Sequence, residues 1–114
     1  MSQSIPILTL TQQASGAVTA RRFVGFDGAQ IGTDGARAMG VSQHDAEDGQ
    51  DMAVDAIGTT VVETGGSFSI GDELVADASG RAIVNPDVGG EVIMADPLEA
   101  SGGTGEFVEV LLRR

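Results

Sequence analysis

Glycine spacing sets the tightest limit on what this chain can fold into. The 114 residues include 17 Gly, and beyond Ser15 the longest stretch without one is the eleven residues from Glu91 to Ser101. An interior Gly costs a helix about 1 kcal/mol relative to Ala. A long helix therefore has almost nowhere to sit, whereas short strands separated by turns fit this punctuation. The larger apolar residues lean the same way, because 12 Val and 7 Ile outnumber 6 Leu and 4 Met, and β-branched side chains suit a pleated surface.

Several segments alternate with period two. In Pro6 to Thr11, Leu8 and Leu10 point one way and Thr9 and Thr11 the other. In Asp51 to Ile57, Met52, Val54 and Ala56 share a face opposite Asp51, Ala53 and Asp55. In Glu106 to Leu112, Val108, Val110 and Leu112 oppose Phe107, Glu109 and Leu111. This last segment is apolar on both sides, which predicts a central or covered strand. Further strands are expected at Phe23 to Phe26, Met39 to Gln43, Thr59 to Glu63, Glu73 to Ala76, Arg81 to Val84 and Val92 to Ala95. The expected fold is all-β, a compact β-sandwich or small β-barrel of about eight or nine short strands with little or no helix. Residues 1–7 are expected to form a flexible arm and residues 8–114 a single β-domain.

Turn chemistry agrees. Asp27-Gly28, Asp34-Gly35 and Asp48-Gly49 suit turns that need positive φ. Asp77-Ala78-Ser79-Gly80-Arg81 reads as a hairpin tip, and Ser101-Gly102-Gly103-Thr104-Gly105 as a flexible loop before the final strand. There is also a candidate internal repeat. Met39-Gly40-Val41 leads through a loop to Met52-Ala53-Val54, as Ile93-Met94-Ala95 leads to Val108-Glu109-Val110, with an offset of 55 that becomes 56 after one inserted residue. Upstream, Phe26-Asp27-Gly28 and the stretch Ala76 to Gly80 are both turn tips. Chance similarity of two hairpins in a Gly-rich chain is the alternative; a true repeat, arising from internal duplication, would give two similar β-units packed face to face.

Charge narrows the partners. Seventeen acids face six Arg and no Lys, for a net charge of −11. Such a surface repels phosphate backbones and anionic lipid, so neither direct nucleic-acid binding nor membrane binding is expected. The start, Met1-Ser2-Gln3-Ser4, leads into no long apolar run, so no signal peptide or membrane span is expected. Trp and Tyr are absent, which removes the commonest anchors of a binding hot spot. Tight contacts must then come from area, multivalency or main-chain pairing. Cys is absent too, so disulfides and thiolate metal sites are excluded.

Little in the chain points to catalysis or to a cofactor. His44, the one histidine, lies beside Asp45, Glu47, Asp48 and Asp51, and loop carboxylates could hold a divalent cation through oxygen. The spacing does not match an EF-hand loop, and a solvated acidic hairpin loop is the simpler reading of Asp45 to Asp51. No Gly-x-Ser-x-Gly elbow is present, and a triad would need His44 without local support. Glycosidase carboxylates normally work beside aromatic sugar platforms, and only four Phe are available. The glycines from Gly25 to Gly32 and from Gly102 to Gly105 lack the spacing of phosphate-binding loops. Arg21-Arg22 and Arg113-Arg114 are the paired basic residues. They read either as docking points for carboxylates on a partner or, for Arg113-Arg114 especially, as solvated chain ends.

The stretch Gly71-Asp72-Glu73-Leu74-Val75-Ala76-Asp77-Ala78-Ser79-Gly80-Arg81-Ala82 is similar to one typical of tailed-phage capsid cement (head decoration) proteins. The ending Gly105-Glu106-Phe107-Val108-Glu109-Val110-Leu111-Leu112 resembles that family's closing strand. Met39-Gly40-Val41, Gly49-Gln50-Asp51-Met52-Ala53-Val54 and Gly58-Thr59 follow in the same order. The resemblance runs from about Leu8 to Leu112 and rests on an ordered series of turns and strands, with no catalytic motif. This chain departs from the family in being more acidic, with a longer carboxylate loop at Asp45 to Asp51.

The resemblance implies a non-enzymatic structural protein of the virion. It implies a β-domain that binds the outer face of the assembled capsid and stabilises the shell. The implied partners are the major capsid protein and further copies of the chain, as a homotrimer or a dimer. Ile5, Pro6, Arg21 and Arg22 are the candidate capsid-interface residues, with Met1 to Pro6 an arm that could pair with a sheet edge on the capsid protein. A competing reading is a small β-sandwich binding module on a virion that recognises a glycan or host receptor; the scarcity of aromatics weakens it.

Overall fold

A computed structural model of the chain describes residues 5–113. The strands are β1 (Pro6–Gln13), β2 (Phe23–Val24), β3 (Gly40–Ser42), β4 (Asp51–Gly65), β5 (Leu74–Ala76), β6 (Ala82–Val84), β7 (Ala95–Pro97) and β8 (Thr104–Leu112). The fold is all-β. Strands β4, β6, β5, β7 and β8 pair in that order, and β8 returns to β4, which closes a five-stranded barrel. The other three strands extend the N-terminal half of β4: β1 pairs along one edge of it, and β3, carrying β2, along the other.

Strand β4 organises everything else, and it corrects the expectation of two short strands broken at Gly58. It runs unbroken for 15 residues. Met52, Val54, Ala56, Thr60, Val62 and Thr64 are all buried along it, so one alternation spans the break that the glycine suggested. Gly58 has φ +104°, and a Cβ there would stand 2.6 Å from both the Ile5 carbonyl oxygen and the Ile7 nitrogen. The glycine admits the start of β1 against β4; it does not end the strand.

Two further boundaries differ from expectation. Residues 5–7 do not stand apart as an arm: Thr59 N–H donates to the Ile5 carbonyl at 3.1 Å, Ile5 N–H donates to Thr59 Oγ1 at 2.8 Å, and Pro6 pairs with Gly58. Main-chain pairing with β4 holds them. Met1 to Ser4, the rest of the expected arm, lie outside the described residues, as does Arg114. Strand β7 starts at Ala95, later than the expected Val92. Before it, Val92 N–H is drawn to the Gly35 carbonyl and Met94 N–H to that of Leu74. The tip between β5 and β6 is where turn chemistry placed it. Asp77 Oδ1 accepts from Ser79 and Arg81 N–H, and Gly80 takes φ +77°.

The internal repeat is real as structure. Val41 pairs with Asp55 and Ser42 with Val54; Asp96 pairs with Leu111 and Pro97 with Val110. Leu10 opposite Val54 matches Thr60 opposite Val110, and Gln12 opposite Met52 matches Val62 opposite Val108. The isolated bridge between Val18 and Ala46 recurs as Phe68 with Ser101, and Met39 N–H to the Val24 carbonyl recurs as Met94 N–H to that of Leu74. The units are not separate halves stacked face to face. Strand β4 serves as the last strand of the first unit and the first strand of the second. Each unit has its own apolar cluster: Val18, Val24, Met39, Met52 and Val54 in the first, Phe68, Leu74, Met94, Val108 and Val110 in the second. Phe23, Ile31, Ala38 and Val41 of the first unit belong to the second cluster, which welds the two together.

Candidate interaction surface

Of the four residues expected at an interface, two sit at the start of β1 and two on the segment leading into β2. Ile5 and Pro6 have their backbone engaged by β4 while the Ile5 side chain remains exposed. Arg21 adopts φ +63°, rare for a non-glycine residue. Its N–H donates to the Ser42 carbonyl and its own carbonyl accepts from Glu63 N–H, both at 2.8 Å. Its Nη1 is buried without a hydrogen-bond partner.

Arg22 is committed inside the molecule. Its Nη2 lies 3.2 Å from Glu63 Oε1, and its Nη1 donates to the Ser79 carbonyl at 3.1 Å. Arg113, Arg81 and Arg37 are also engaged. Arg113 forks onto Asp96 at 2.8 and 2.9 Å and reaches Glu73 at 3.2 Å. The Asp96 hydrogen bond, working against slight desolvation, holds its pKa above the ordinary value. Arg81 pairs with Asp77, and Arg37 lies over the exposed Phe26 ring, 5.5 Å from its centroid.

The acidic loop caps backbone. Asp45 Oδ1 accepts from Ala20 N–H at 2.7 Å and Asp48 Oδ1 from Gly16 N–H at 2.9 Å. His44 Nδ1 lies 2.9 Å from the Asp45 carbonyl oxygen, and its Nε2 lies 3.4 Å from the Ala53 nitrogen. Among the described residues no group of three His, Asp or Glu side chains is placed to hold a metal ion. Ser42 is buried and donates its hydroxyl to the Thr19 carbonyl at 2.9 Å, well spent as a structural bond. The concavities are open and shallow. One of about 240 Å³, between Arg37, Val92, Ile93, Met94 and Arg113, borders the arginine already paired with Asp96 and Glu73.

The most distinctive surface is a sheet face and the strand edge beside it. Strand β8 lies between β4 and β7, so it is central as its pattern predicted, yet its outer side is uncovered: Phe107 is 54% and Leu111 44% exposed. In register with them on β4 stand Glu63 and Thr59, with Val61 between. Leu98, following β7, is 43% exposed, and its N–H donates to the Glu109 carbonyl. Beside this face runs β1, which pairs with β4 alone. Leu8 and Leu10, expected to share one face, are partly exposed, and Ile7 is 80% exposed. From Pro6 to Gln13 the strand carries no charge, so it lacks the charged residues that usually guard a free edge. Sequence reasoning placed candidates at Ile5 and Pro6 but missed the β8 face, although the two-sided apolar pattern of residues 106–112 was its signal.

The described residues form an all-β module with open concavities, with most of its basic side chains paired internally, and with an apolar face and an uncharged strand edge on its surface. The chain is a member of the phage cement protein family, whose model matches residues 1–112. That makes it a structural, capsid-associated protein of the virion, in line with the resemblance seen in its turns and strands. Its fold is similar to that of the head fiber gp8.5 N base in bacteriophage phi29, with 17% identity, 93% of each chain covered and a TM-score of 0.74. No curated protein sequence matches it.

Proposed function

We propose that the protein docks on the outer surface of the assembled capsid, contacts the major capsid protein there, and stabilises the shell as a homotrimer without catalysing any reaction. Membership of the cement family over nearly the whole chain is the observation that carries this reading. A cement protein that touches several subunits adds contacts available only in the finished lattice, and linking several weak contacts raises avidity without a deep pocket. The open edge of β1, with Ile5 and Pro6 at its start, is the docking element. Main-chain pairing with a capsid strand needs no aromatic anchor and tolerates an otherwise acidic protein. Arg21, on the segment before β2, is assigned as a second contact. Arg22 supports it from within, because its guanidinium is already held by Glu63 and Ser79.

The test is to mix the purified protein with undecorated, expanded heads and measure what co-sediments. Saturable binding at micromolar concentration is expected, and decorated heads should resist heat or osmotic shock better than bare ones. Absence of co-sedimentation would refute the assignment. Binding without gain in shell stability would leave a decoration protein that does not cement.

A further inference from the structure

We propose that the outer face of β4 and β8 is where one copy of the chain packs against another. The inference deepens the reading above and rests on its premise that the protein self-associates. The face is built from cross-strand neighbours. Thr59 stands opposite Leu111, Val61 opposite Glu109 and Glu63 opposite Phe107, with Ile57 further along β4 and Leu98 flanking β8. Contiguous exposed apolar side chains on a small domain mark a contact surface. A nine-residue strand with apolar side chains on both faces is the pattern of a strand covered on both sides.

Electrostatics selects the occupant. Each copy carries a net charge of −11, so two copies repel wherever their acidic loops meet. They can approach closely only across a surface that is apolar or internally neutralised. This face qualifies. Phe107, Leu111, Leu98 and Val61 supply apolar area, while Glu63 is paired with Arg22 and Asp96, opposite Leu111, with Arg113. Glu109 also lies within the face, and its N–H donates to Glu99 Oε1 at 2.9 Å. A basic partner would instead be drawn to the loops rich in Asp and Glu. Strand β1 pairs with residues 51–58 of β4 and β8 with residues 59–65, so self-packing through β8 uses a different stretch of β4 from the one that carries the β1 edge.

Sedimentation velocity on the full chain tests this. The wild-type protein is expected to associate at micromolar concentration, more strongly as salt rises from about 20 to 300 mM, because screening weakens repulsion between like-charged copies. Leu111→Glu and, separately, Phe107→Gln should each weaken association about 30-fold or more, the scale of a hot-spot loss. Both positions are exposed, so circular dichroism should be unchanged. Ile70→Glu, at an exposed turn outside strands β4 and β8, should associate like wild type. A wild-type protein that stays monomeric at all salt concentrations would overturn the proposal, as would folded β8 variants that associate normally. Head co-sedimentation separates the two readings. If wild type fails to bind heads while Leu111→Glu abolishes association, the capsid reading falls and this one stands. If heads bind normally while association ignores the β8 substitutions, the reverse holds.

Discussion

Arg22 grips Glu63 through both Nε and Nη2, at 3.3 and 3.2 Å, while its Nη1 holds the Ser79 carbonyl at 3.1 Å. One side chain thus ties the approach to β2, the C-terminal end of β4 and the tip of the β5–β6 hairpin. The pair is mostly shielded from water, so losing one partner strands the other in a poorly solvated place. Arg22→Met is expected to cost about 1–3 kcal/mol in a urea melt, and Glu63→Gln less, since the amide oxygen still accepts. An Arg22→Met protein as stable as wild type would show the contact to be incidental.

Asp55 is fully buried on β4 and accepts from Thr9 Oγ1 at 3.0 Å, Gln43 Nε2 at 2.5 Å and Thr60 Oγ1 at 2.7 Å. Three strands or strand ends therefore converge on one carboxylate. Asp55→Ala would leave three donors without an acceptor and is expected to cost about 3 kcal/mol or more. Asp55→Asn should cost clearly less, because the threonine hydroxyls can turn to accept from its amide. Equal losses for the two variants in a denaturant titration would contradict this account.

Gly58 combines positive φ with the close approach of Ile5 and Ile7. Gly58→Ala must strain the backbone and push β1 away, at a cost of about 1–3 kcal/mol. Amide exchange should then quicken first in residues 5–9, ahead of the barrel. Gly49→Ala makes the matching control, since it shares positive φ but meets nothing within 4 Å.

These sites show what could be read from sequence and what could not. Glycine spacing and the alternation around Met52 and Val108 were enough for the fold class. The tip at Asp77 to Gly80 was legible because Asp and Gly fix a turn locally. Gly58 misled because the same residue type marks both a strand's end and a place where a neighbour comes close. The partly exposed side of β1 was invisible, since alternation says which residues share a face but not whether anything covers it. Arg22 looked like a docking point because its partner Glu63 is distant in sequence. The repeat was detectable over two hairpins, while the double use of β4 needed the register.

Desolvation pushes the Glu91 carboxyl upward, but backbone N–H groups of Glu91 itself, Gly89 and Val88 outweigh it and hold its pKa below the ordinary glutamate value. A depressed folded-state pKa means the contribution is intact above the unfolded-state value and is lost as pH falls through the folded-state one. The amide resonances of Val88 and Gly89 should therefore move together in acid, with a midpoint below that of a free glutamate, and Glu91→Gln should abolish the transition. A midpoint at or above the ordinary value would be inconsistent with these hydrogen bonds.

Because β4 ends one repeat and begins the next, the two units cannot unfold independently. Pulling the first unit apart strips β1 and β3 from Asp51 to Gly58, and the same strand carries Thr59 to Gly65 into the barrel. Phe23 and Val41, from the first unit, sit in the second unit's core, so separation would also expose apolar area on both sides. One cooperative transition is expected, with far-ultraviolet dichroism and amide exchange reporting the same midpoint in urea. The amides of Val54 and Val62 should share a single opening free energy under native conditions. Separate midpoints, or earlier exchange at Val54 than at Val62, would mean that the repeats behave as two modules and that the common strand does not couple them.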